Sequence, residues 1–148
     1  MRKGVSSKRC SKREMDDGPI ISVEQMLISP SGTTNVWAVK WTIANKGAHA
    51  IAILSARLPH GQFKSAEQRF DPPLEISEGG QVAFRTLVHC DEPPGLVTEN
   101  AFIIFQAVWC KQPWRIFVRI RVVVKEGGEP QTTVELITTQ KIGFSARN

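Results

Sequence analysis

Tyrosine is absent, and there are only three cysteines in 148 residues. The first absence excludes the tyrosine corner of antibody-type domains, and three cysteines are too few for a disulfide scaffold. No apolar run approaches the ~18 residues that a membrane-crossing helix needs. No amphipathic stretch supports a helix longer than about one or two turns. The sequence contains no G-x-S-x-G, no H-E-x-x-H, no C-x-x-C and no phosphate-cradling glycine loop before a helix, which leaves the common hydrolase, zinc-protease, redox and nucleotide motifs unrepresented. No cofactor, metal site or enzymatic activity is expected, and no internal repeat is visible. What remains is a chain that is 41% apolar, enough for one folded domain that buries roughly 70% of its extended surface.

Charge is unevenly distributed. Residues 2–13 contain no acid and six bases, Arg2, Lys3, Lys8, Arg9, Lys12 and Arg13, whereas Glu14 onward carries thirteen bases against fourteen acids. The net charge of +5 therefore belongs to the N-terminus. Residues 1–18 are rich in Ser, Lys and Arg and poor in apolar groups, so they read as a flexible basic tail up to about Asp17, with the folded domain spanning 19–148. The tail's bases are candidates for phosphate contacts with nucleic acid. The apolar stretch of a secretory signal is missing, because Ser11 to Asp17 is polar.

The body alternates with period two, as strands with one buried face require. Expected strands run over Ile20–Ser29, Val36–Ala44, Ala50–Leu58, Gln81–His89, Ala101–Trp109, Trp114–Lys125 and Thr132–Ile142, with a short edge strand at Leu74–Ile76. The stretch 62–73 is polar and interrupted, and Asp71-Pro72-Pro73 does not suit a central ladder. Trp37 and Trp41 share an inward face, and Ala101–Trp109 is apolar on both faces. Such a strand is either covered on both sides or lines a partner surface. Seven or eight short strands separated by Gly/Pro/Asn turns predict an all-β, antiparallel immunoglobulin-like sandwich.

Two stretches strengthen that reading. Val39 to Gly47 (VKWTIANKG) is similar to the strand-then-Asn-x-Gly element of CARDB-type adhesion and fibronectin III-like modules. Leu74 to Phe84 (LEISEGGQVAF) is similar to their apolar–Gly–strand segment. The resemblance implies a non-catalytic binding domain.

The expected strand order puts Cys90 and Cys110 at opposite poles, roughly 30 Å apart, too far for a bridge. Both are therefore expected as free thiols, and an odd cysteine count without a bridge suits a reducing, cytoplasmic setting. His49, His60 and His89 lie in or beside separate turns. The densest set of metal-ligand types, His89-Cys90-Asp91, lacks a second pair at metal spacing, and a small hydrolase or metal protein built on it is a third reading.

The sharpest surface signal is the outward row Arg115, Phe117, Arg119, Arg121. Three guanidiniums within about 20 Å, interleaved with an aromatic, suit an acidic protein or other acidic macromolecule. The competing reading pairs these arginines with acids on neighbouring strands, such as Glu135. Trp109 and Trp114 flank the turn Cys110–Pro113 and either extend the recognition edge or cap the core. The function expected is that of a soluble, non-enzymatic protein-binding module, with nucleic-acid association through the tail as the alternative.

Overall fold

In the structure, a computed structural model that describes residues 9–143, every segment of period-two alternation forms a strand. The elements are α1 (Lys12–Asp17), β1 (Ile21–Pro30), β2 (Val36–Asn45), β3 (Ile51–His60), β4 (Phe63–Ile76), β5 (Gln81–His89), β6 (Val97–Trp109), β7 (Gln112–Val124) and β8 (Pro130–Lys141). No helix among the described residues is long and apolar enough to cross a membrane.

The inward rows are those the alternation marks. Along β7, Trp114, Ile116, Val118, Ile120, Val122 and Val124 are all buried, and Val39, Trp41 and Ile43 of β2 are fully so. Ring pairs close the core across the molecule. Trp41 meets Phe63 edge-on at 6.5 Å, and Phe84 meets Phe105 at 5.8 Å. The buried indole of Trp41 donates to Thr86 Oγ1 at 2.9 Å, which satisfies its polar atom.

β4 departs from expectation. Instead of a loop followed by three strand residues, Phe63–Ile76 is one long irregular strand. Its pairing with β3 runs through Ser55↔Arg69 and then jumps to Ile53↔Leu74, so Asp71-Pro72-Pro73 fall in the irregularity. There the missing proline N–H breaks no ladder bond.

All strand pairs are antiparallel, in the order β1-β2-β5-β4-β3-β6-β7-β8. The result is one curled sheet, nearly a barrel. β4 and β5 share a single register pair among the described residues, Lys64↔His89. That weak junction divides the sheet into β1-β2-β5 and β4-β3-β6-β7-β8, which face each other across the core. The far edges meet where the Gln25 carboxamide accepts from Thr132 N at 2.8 Å and from Thr132 Oγ1 at 2.7 Å, and donates to the Pro130 carbonyl.

The N-terminal segment carries local structure that its composition does not signal. Residues 9–18, expected as part of the tail, contain the short helix α1 and lie against the sheet. Ser11 caps α1, accepting from Glu14 N at 3.1 Å while Glu14 Oε1 accepts from Ser11 N at 2.7 Å. Met15 packs on the core. Gly18 (φ 81) passes so close to the sheet that a Cβ there would sit 2.7 Å from Thr139 Oγ1 and 2.9 Å from the Trp114 ring. A polar composition hides this anchor because only a few contacts make it. Arg2, Lys3 and Lys8 lie outside the described residues.

Candidate binding face and the cysteine–histidine corner

Residues directly opposite in an antiparallel pair share a face, so the register places the β7 arginines among neighbours the linear sequence does not reveal. Phe117 stands between Ile104 of β6 and Thr138 of β8, and Ile104 in turn faces Arg57 of β3. Arg119 stands between Phe102 and Leu136, and Arg115 between Gln106 and Gln140. Phe117 packs edge-on against Phe102, with centroids 6.5 Å apart. Arg115, Phe117, Arg119 and Arg121 are all half-buried, with no strand among the described residues paired over them, and Leu136 is 48% exposed. The two-sided apolar pattern of β6 is thereby explained. One face fills the core, and the other lines an open surface.

The acids expected to neutralise this row do not do so. The β7–β8 register slips between Arg119↔Leu136 and Ile120↔Val134, which puts Glu135 in a bulge rather than opposite an arginine. Among the described residues Arg121 alone of the row has a carboxylate, Glu99 Oε2 at 3.0 Å from its Nε. Arg119 Nε is buried without a hydrogen-bond partner among the described residues. No carboxylate among the described residues pairs with its guanidinium.

Trp109 and Trp114 do not belong to this surface. They are 2% and 3% exposed, on the core side of the hairpin, and their role is to cap the core. Trp109 donates to the Ala48 carbonyl at 2.9 Å and packs edge-on against Trp114 at 5.8 Å and His49 at 6.1 Å. The Gly18 segment covers Trp114.

Beside this aromatic cap lies a corner that sequence spacing does not connect. Cys10 and Cys110 form a disulfide across a separation of 100 residues, with Cα atoms 6.0 Å apart. The free-thiol expectation for Cys110 is overturned, and with it the argument from unpaired cysteines for a reducing compartment. A bridge from Cys10 was invisible because its segment read as unstructured. His49 stands against the two sulfurs, the ligand atoms of the three residues lying within 4.8 Å of one another. Its Nε2 contacts Glu14 Oε1 at 3.0 Å. The Ser11 backbone N–H, and after it His49, holds the Glu14 carboxyl below its ordinary value.

No protein-family model matches the chain, and no curated protein matches it. Its chemistry is read from its own surfaces. Cys90 is free and buried at the end of β5, where burial pushes its thiol up. His89 and Asp91 beside it point to solvent, so the His89-Cys90-Asp91 set does not assemble. Of the tail bases within the described residues, Arg9, Lys12 and Arg13 are exposed on and beside α1.

Proposed function

We propose that the chain is a non-enzymatic binding domain that recognises an acidic protein surface with the outer face of β6–β7–β8. One observation carries this reading: Arg115 and Arg119, set among Phe102, Ile104, Phe117 and Leu136, have no carboxylate partner among the described residues. A guanidinium beside apolar and aromatic neighbours offers its planar fork to a partner carboxylate while those neighbours limit the water around it. Arginine and aromatic side chains are the groups most enriched where interfaces gain their energy.

The finer fold reading is an immunoglobulin-like, fibronectin III-like sandwich with one extra strand. It is supported by the neighbours β1-β2-β5 on one side and β4-β3-β6-β7 on the other, with β8 added beside β7. The chain crosses between the halves from β2 to β3, from β4 to β5 and from β5 to β6, in the manner of Greek-key domains. This likeness favours binding over catalysis by analogy of fold alone.

The test uses the full-length chain and its Arg115→Gln/Arg119→Gln variant, which keeps most of each aliphatic stem and removes the charge. The parent is expected to recover acidic proteins from extract at low salt and to lose them as salt rises. The variant should lose them at all salt concentrations while its stability stays within about 0.5 kcal/mol of the parent. Unchanged recovery by the variant, or recovery of nucleic acid in place of protein, overturns the assignment and returns attention to the basic N-terminus.

A further inference from the structure

Three separate segments converge on the corner beside α1: Cys10 from the residues before the helix, His49 from the β2–β3 turn, and Cys110 from the β6–β7 turn. All three side chains are half-buried. His49 has φ 70, and the hairpin turn has φ 52 at Cys110 and 61 at Lys111. A two-residue turn with positive φ at both positions ordinarily takes Asn-Gly. Here it carries a cysteine, and backbone strain of that kind persists where the surroundings hold it for a purpose. A disulfide accounts for the two sulfurs but not for an imidazole brought against them. Glu14 engages Nε2, and Nδ1 is the ring nitrogen with no hydrogen-bond partner among the described residues. A carboxylate on the far nitrogen is the usual way of orienting a metal-bound histidine.

We propose that Cys10, His49 and Cys110 form a site for a zinc-class cation when the disulfide is reduced, so that the disulfide and the metal are alternative locks on the N-terminal segment. This site is independent of the arginine face. A dithiol reductant supplies two electrons and two protons, the S–S bond opens to two thiols, and the reductant leaves as its own disulfide. The cation then binds two thiolates and the neutral imidazole, and the two thiol protons go to solvent. Tetrahedral coordination with Zn–S near 2.3 Å and Zn–N near 2.0–2.1 Å sets sulfur to sulfur at about 3.8 Å and sulfur to nitrogen at about 3.6 Å. Both spacings lie inside the reach the three side chains already have. Thiolate and imidazole donors select zinc-class ions over magnesium or calcium, and partial exposure leaves the fourth position to water.

Cobalt(II) is the probe. The full-length chain, reduced with a phosphine that is then removed, should bind one Co²⁺ with the intense visible bands of a tetrahedral site and a thiolate-to-cobalt charge-transfer band. The oxidised chain should give neither. Cys110→Ser and His49→Asn should abolish the tetrahedral spectrum, asparagine being chosen because it tolerates the left-handed backbone. Cys90→Ala should retain the spectrum, and Glu14→Gln should weaken binding about 10–100-fold. Circular dichroism of each metal-free reduced protein checks that the strands persist, and the parent's reduced-against-oxidised comparison decides if a variant unfolds. A reduced parent that gives only the pale spectrum of hydrated cobalt, or tetrahedral bands undiminished in His49→Asn or Cys110→Ser, overturns the proposal.

Discussion

Cys90 and Cys110 show how position alone separates two residues of one type. Cys110 sits half-buried in a turn within reach of Cys10, whereas Cys90 is buried where burial disfavours its thiolate. A thiol whose pKa is raised stays protonated at neutral pH, and the thiolate is the nucleophile. Alkylation of the denatured, unreduced chain should therefore label Cys90 alone and recover Cys10 and Cys110 as linked peptides. In the native chain Cys90 should label slowly, and faster as pH rises. Mass spectrometry showing three labelled cysteines would refute the bridge. At this scale the sequence was legible where a residue's role follows from its own strand. Trp41 and the inward row of β7 are read correctly from alternation. Cys10 and His49 were not, because their roles depend on partners dozens of residues away and on an anchor made by a six-residue helix.

Element by element, the alternating strands were legible to within a few residues, and β4 was not. Its prolines signal a break, and only the looseness of its pairing lets them remain within one strand. The closing seam was equally hidden, since the hydrogen bonds across it among the described residues all come from one polar side chain. Gln25 sits at the β1 irregularity, where the register shifts between Gln25 and Leu27, and its carboxamide serves the first turn of the β8 ladder. Beside it lies a groove of about 200 Å³ lined by Gln25, Leu27 and Thr132 among others. Replacing Gln25 with Leu removes the acceptor and leaves the Thr132 N–H without a partner, at a cost of about 1–3 kcal/mol. Hydrogen exchange should show the Thr132 amide losing its protection first. A Gln25→Leu protein as stable as the parent, with Thr132 still protected, would mean that other contacts close the seam.

Across the whole molecule, the chemistry divides between two places. One end of the near-barrel is capped by the Trp109–Trp114–His49 cluster under the bridged N-terminal segment. The flank formed by β6, β7 and β8 carries half-buried arginines beside the edge-on pair Phe102–Phe117. The arginine row was legible in the sequence as a row. Its apolar setting was not, because Phe102, Ile104 and Leu136 come from neighbouring strands and only the register brings them together. The same register removes Glu135, the acid that would have made the row an ordinary ion-paired surface. The most direct test of a binding face here is arginine-selective dicarbonyl labelling of the full-length chain, free and bound to its recovered partner, read by mass spectrometry. Arg115 and Arg119 should be labelled in the free protein and protected in the complex, with Arg9 and Arg13 unchanged. Protection of Arg9 and Arg13, with Arg115 and Arg119 still reactive, would contradict the account and place the contact on the N-terminal segment.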